Sequence, residues 1–210
     1  MEQVMSNLAV SERRAVLDLD RAAFDDVCAE LLLLASEGQR PDALIAIPTG
    51  GLIVGESMAR AAGGDMPVLS LTCRRPSTKL KSGGSVVRRV VSGLPRPIVD
   101  RLRVAEHALL TRRPATQPAA PYRFVDHEVD SLVRWLAAAP KSPSLLIVDD
   151  AVDSGATLSQ VVDAVRRYAP SGARIRSAVI TVTTEWPLVR PDFTMFNRQL
   201  CRFPWSMDAR

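Results

Sequence analysis

The sequence holds little of what metal centres, disulfide frameworks and membrane spans are built from. Its 210 residues include three cysteines, Cys28, Cys73 and Cys201, and two histidines, His107 and His127. The cysteines are far apart and form no CxxC pair. That argues against a structural zinc site or a disulfide framework and fits a reducing compartment. The longest apolar run, residues 31–35, falls far short of the roughly 20 residues that cross a bilayer. The start, Met1-Glu2-Gln3, has neither a basic nor an apolar stretch, so no secretory leader is expected and a cytoplasmic location is. Internal repeats and low-complexity tracts are missing too. Net charge is only +4, from 27 Lys+Arg and 23 Asp+Glu, too mild an average to announce a nucleic-acid binder.

That average hides a division. Between residues 74 and 113 lie eleven basic residues, Arg74, Arg75, Lys79, Lys81, Arg88, Arg89, Arg96, Arg101, Arg103, Arg112 and Arg113, against Asp100 and Glu106, a net +9. The remainder holds 16 basic and 21 acidic residues, a net −5. Taken alone, a charge run of this kind is a solvated surface. Its functional reading is an anion-binding element, for phosphate groups or for nucleic acid.

Hydrophobic residues make up 47% of the chain, enough for one domain with a substantial core. Apolar residues at helical spacing predict helices over 21–37, 52–62, 127–138 and 156–168. Short apolar runs bounded by turn residues predict strands over 15–19, 43–47, 66–71, 144–148 and 176–183. Residues 73–126, rich in proline and glycine, break the alternation, with one helical face (Ile98, Leu102, Ala105, Leu109) inside, and an irregular tail ends the chain. Strands alternating with helices predict an α/β fold, a doubly wound and mostly parallel sheet, with ligands beyond the carboxyl ends of its strands.

At one such strand end the sequence reads LLIVDDAVDSGATL, residues 145–158. A buried run delivers Asp149 and Asp150 to the crevice. The loop Asp153-Ser154-Gly155-Ala156-Thr157 then opens a helix, where amides, hydroxyls and the helix start converge as a monophosphate cradle. The plainer alternative is that Asp153 or Ser154 only caps the helix. Residues 47–55, IPTGGLIVG, form a second glycine-rich strand-to-helix turn, which lacks the spacing of a dinucleotide site or a P-loop.

The first stretch resembles the 5-phosphoribosyl-1-diphosphate (PRPP) motif of type I phosphoribosyltransferases, with Ala151 where the family usually has a larger aliphatic residue. The resemblance implies that Asp149 and Asp150 hold the ribose hydroxyls and that Asp153, Ser154, Gly155, Ala156 and Thr157 bind the 5-phosphate. Asp153 also stands where purine-specific members exchange a proton with the base. The second stretch is similar to the family's pyrophosphate loop, giving Thr49, Gly50 and Gly51 that role; Thr49 replaces the Arg or Lys of many relatives. The basic segment occupies the place of the family's closing loop, so Arg74, Arg75, Lys79 and Lys81 are lid candidates. The whole insert, 73–126, is longer than a lid needs, leaving room for an oligomer contact, a partner or RNA.

The tail, EWPLVRPDFTMFNRQLCRFPWSMD, resembles the hood of xanthine, guanine and hypoxanthine phosphoribosyltransferases, over 185–210 of a single domain spanning 1–210. It implies base contacts near Leu200, Cys201 and Arg202. Mg²⁺ is the implied cofactor, with Asp208 as a ligand and Asp149 and Asp150 contributing directly or through water. Trp205 is expected in hood packing rather than as a stacking platform. One departure stands out: purine-specific members carry a Lys near the end of the strand before the hood, and here that region reads Val182-Thr183-Thr184-Glu185. Either another group fills that role, such as Arg202, or the acceptor is not an ordinary 6-oxopurine. The expected activity is phosphoribosyl transfer from PRPP to a nitrogenous base, a 6-oxopurine or analogue, in a homo-oligomer (dimer or tetramer). The rival is a regulator of the same fold that senses PRPP or a nucleotide and binds RNA or DNA through the basic insert.

Overall fold

A computed structural model describes residues 16–74 and 122–206 of the chain. In order, the elements are β1 (Val16–Asp18), α1 (Arg21–Ala35), β2 (Ala43–Ala46), α2 (Gly50–Ala61), β3 (Val68–Ser70), β4 (Cys73–Arg74), β5 (Arg123–Phe124), α3 (Asp126–Ala138), β6 (Ser144–Val152), α4 (Ala156–Tyr168), β7 (Arg174–Val182), β8 (Phe193–Asn197) and β9 (Leu200–Arg202).

Five strands form the central sheet in the order β3-β2-β6-β7-β8, each pair parallel. Alternate residues of β2, β6 and β7 feed two cores. Leu44, Ala46, Leu146, Val148, Ala178 and Ile180 pack with Phe24, Leu31, Val54 and Met58 of α1 and α2. Ala43, Ile45, Leu145, Ile147 and Val179 pack with Leu132 of α3 and Leu158, Val161 and Val165 of α4. Helices on both faces explain why these strands are near-continuous apolar runs rather than alternating ones. Asp20 caps α1 by accepting from the Ala23 amide at 2.9 Å, so the first turn starts where the sequence places it.

The chain winds outward from β2 to β3 on one side and from β6 through β7 to β8 on the other. The carboxyl ends of β2 and β6 therefore flank the point where the winding reverses, the usual crevice of such sheets.

Two expectations are corrected. The tail is not irregular: β8 extends the sheet at its edge and β9 pairs in parallel with β1. Half-buried edge residues make no continuous apolar run, and a pairing between the two ends of the chain leaves no local signal. The strand expected over 144–148 also continues to Val152, because its ladder with β7 persists through Val152 opposite Val182. At the root of the insert, Cys73 and Arg74 pair antiparallel with Phe124 and Arg123, bringing its two ends side by side.

Candidate active site

The extended β6 carries both acidic residues within its last turn of ladder, half-buried rather than on a free loop. The Asp149 carboxylate accepts from the Asp150 amide and that of Asp150 from the Ala151 amide, each at 2.9 Å. Burial, and then the facing charge of Asp150, push the Asp149 carboxyl well above the ordinary carboxylate range. Burial raises Asp150 as well.

Across the crevice, α2 begins at Gly50. A β-carbon on Gly50 would lie 2.1 Å from Asp150 Oδ2, and one on Gly51 would lie 2.5 Å from the Val148 carbonyl oxygen. The glycine pair is needed because the helix start leans directly on the acidic strand end. Thr49 is exposed at the N-cap position and makes no capping bond, so its side chain leaves the first amides of the helix uncapped.

The third wall is the turn into α4. Gly155 is the N-cap in a left-handed conformation (φ 74°), where a β-carbon would come within 2.9 Å of the Val189 backbone. The Leu188 amide donates to the Ser154 carbonyl at 2.8 Å, so the tail segment sits on this turn. No side chain caps α4. Asp153 instead accepts a hydrogen bond from the Thr183 hydroxyl, and Ser154 Oγ makes only a long contact, 3.4 Å, with the Ala156 amide. Ser154 thus reaches the helix start only through this long contact, and Asp153 is engaged by Thr183.

These walls enclose a cleft of about 240 Å³ lined by Ile47, Pro48, Thr49, Gly50, Asp149, Asp150, Ala151, Val152, Asp153, Ser154, Gly155, Thr157 and Leu158. Gly51 and Ala156 lie behind that lining. Among the described residues, its charged groups are three carboxylates and its lining holds no Lys or Arg.

The tail residues expected at the base stand beside this cleft rather than in its described lining. Leu200, Cys201 and Arg202 form β9 against β1 and are not in the cleft lining. Arg202 is buried and ion-paired with Asp18. Burial, with the nearby Asp150 charge, pushes the Cys201 thiol up to about 12, and it stays protonated. Trp205 stacks on Phe203 at 4.9 Å and meets Phe24 edge-on at 5.0 Å, a packing role as expected. Arg74 is exposed in β4, whereas Arg75, Lys79, Lys81 and Asp208 lie outside the described residues.

Two residues of the site's surroundings escaped the sequence reading. Thr183 follows β7 and reaches Asp153. Glu128, in the first turn of α3, accepts from the Thr72 amide at 2.5 Å and from the Ser70 and Thr72 hydroxyls at 2.7 and 3.0 Å. Strand register could have found the first; the second joins segments 56 residues apart and has no local signal.

A family model for the phosphoribosyl transferase domain matches residues 19–205. The chain belongs to the phosphoribosyltransferase family. Its donor is accordingly PRPP. Solved structures of similar fold include a purine phosphoribosyltransferase from Pyrococcus horikoshii Ot3, at 20% identity over 92% of this chain and 95% of that one, with a TM-score of 0.54. The xanthine-guanine-hypoxanthine phosphoribosyltransferase of Helicobacter pylori is 14% identical over 91% and 94%, with a TM-score of 0.57. A Neisseria gonorrhoeae protein with bound ppGpp is 14% identical over 92% of each chain, with a TM-score of 0.55. None of the curated proteins compared with the chain matches it significantly in sequence. Among the described residues of this phosphoribosyltransferase, no helix is long and apolar enough to cross a membrane.

Proposed function

We propose that this phosphoribosyltransferase moves the 5-phosphoribosyl group of PRPP onto a ring nitrogen of a 6-oxopurine or close analogue, releasing pyrophosphate. The observation that carries the reading is the placement of a carboxylate pair between two glycine-based helix starts at the reversal point of the sheet. The α4 turn, with the Ser154 and Thr157 hydroxyls and the amides of 154–157, takes the 5-phosphate. Asp149 and Asp150 accept from the ribose hydroxyls, and the start of α2 at Thr49, Gly50 and Gly51 receives the pyrophosphate end.

A half-buried pair of carboxylates, both raised by burial and Asp149 also by the charge of Asp150, is a donor set suited to Mg²⁺, directly or through water. Bound there, the ion supplies positive charge to the diphosphate leaving group. Among the described residues no group of three metal-ligating side chains is preassembled, so Asp149 and Asp150 would share the ion with the substrate's own oxygens.

Asp153, exposed at the cleft mouth, accepts the proton that the acceptor nitrogen loses. Positioning and charge stabilisation carry the rest of the barrier. The test is pyrophosphate release from PRPP with Mg²⁺ over a panel of hypoxanthine, guanine, xanthine and other bases. Asp153→Asn is expected to lower kcat by about 10²–10⁴-fold, with PRPP binding retained. Near-normal turnover of that variant would remove Asp153 from the reaction.

A further inference from the structure

The register of the central sheet brings together two residues that the sequence separates by thirty positions. β6 and β7 pair in parallel with Ala151 opposite Thr181 and Val152 opposite Val182. The ladder continues one step further, the Thr183 amide donating to the Val152 carbonyl at 2.9 Å. The residue that follows β6 is Asp153, so the Thr183 side chain meets it just past the end of each strand. Its hydroxyl has one proton and two acceptors in reach, the Val152 carbonyl at 3.4 Å and Asp153 Oδ1, which is nearer and carries the charge. The proton goes to the carboxylate. This contact occupies the stretch 182–185, in which no Lys or Arg occurs.

We propose that Thr183 is a positioning residue for the transfer reaction, its hydroxyl holding the Asp153 carboxylate in the plane from which it takes the acceptor's proton. The inference rests on the role given to Asp153 under the proposed function. Asp153 is exposed and is followed by Ser154 and Gly155 in a turn that no side chain caps. The Thr183 hydroxyl is one donor that restricts the rotation of this carboxyl group, and proton transfer needs a heavy-atom approach of hydrogen-bond length at a defined angle. Thr183 is half-buried, its amide fixed in the ladder and its χ1 restricted by β-branching, so it is a stiff donor.

The test uses the full chain and pyrophosphate release from PRPP and Mg²⁺ with hypoxanthine, guanine or xanthine. Thr183→Val keeps the shape and removes the donor. It should lower kcat roughly 10- to 100-fold, the range for losing a hydrogen bond to a charged group, with the KM for PRPP unchanged within about twofold. Thr183→Ser restores the hydroxyl and should recover most of the turnover. In the Asp153→Asn background, Thr183→Val should cost little more, since the two act as one unit. Full activity of Thr183→Val, failure of Thr183→Ser to recover it, or an additive loss in the double variant would overturn the positioning role while leaving the transfer reaction in place. A wild-type protein that releases no pyrophosphate with any base, or an Asp153→Asn variant that turns over normally, overturns the underlying reading itself and the inference with it.

Discussion

At the scale of single residues, the acidic pair is held against its own stability. Asp149 has its carboxyl raised by burial and by the facing Asp150. A raised acid binds its proton more tightly when folded than when unfolded, so stability is lost as pH rises from the unfolded value of 3.8 through the folded one. Asp149→Asn keeps the side-chain shape and an oxygen to accept the Asp150 amide while removing the charge. We expect it to raise the melting temperature of the ligand-free protein, by about 2–4 °C for each kcal/mol relieved in a chain of this length, and to weaken Mg²⁺–PRPP binding severely. Thermal unfolding from about pH 8 downward checks the sign, since the gap between variant and wild type should close as Asp149 takes up its proton. An unchanged or lower melting temperature at about pH 8 would show that the pair is not held at a cost. Such an exchange of stability for a charged cleft is common where ligands must be bound. The two aspartates were legible as residues in the sequence, and the reason for Gly50 beside them was not. Only the register of β2 with β6 shows that a β-carbon there would strike the Asp150 carboxylate.

Elements were legible in proportion to how local their cause is. α4, with apolar Leu158, Val161, Val162 and Val165 at helical spacing, matches the sequence reading end to end, and β2 and β6 announce themselves as buried runs. β8 and β9 did not, because a sheet edge and a three-residue pairing with β1 rest on neighbours far along the chain. The same holds for the short ribbon of β4 and β5 and for Glu128, which binds the residues just before that ribbon. Burial works to raise this carboxyl, but the Thr72 amide and the Ser70 and Thr72 hydroxyls outweigh it and hold the group below its ordinary value. A lowered acid contributes stability that is present above the unfolded value of 4.5 and disappears as pH falls through the folded one. Glu128→Gln should therefore cost about 1–3 kcal/mol at neutral pH, and the difference from wild type should shrink in acid. Equal melting temperatures for the two proteins at neutral pH would show that Glu128 does not tie α3 to the end of β3.

At the scale of the whole molecule, the distribution of charge becomes a question about substrate. The described cleft offers three carboxylates and no cationic side chain to a donor that carries a monophosphate and a diphosphate. Under the proposed function, helix starts and Mg²⁺ would answer part of that imbalance. The remaining positive charge of this protein is concentrated in residues 74–113, net +9, beside a body of net −5. β3 runs parallel to β2 and β6, so the chain leaves it for β4, and for this segment, on the same side of the sheet as Asp149. Arg74, Arg75, Lys79 and Lys81 stand nearest that exit in sequence. Replacing all four by serine should raise the KM for PRPP roughly tenfold, taking the few tenths to one kcal/mol typical of each exposed charge pair, and should flatten the rise of that KM with added salt. A regulator of the same fold behaves differently. It would bind single-stranded RNA or DNA with an affinity that falls steeply between low and moderate salt, and the same four replacements would reduce that slope. Measuring PRPP KM and oligonucleotide affinity across one salt series, for wild type and the fourfold variant, separates the two. A salt-sensitive KM with weak, salt-quenched oligonucleotide binding assigns the cationic segment to the small polyanion. Tight oligonucleotide binding with a KM indifferent to both salt and substitution assigns it to nucleic acid.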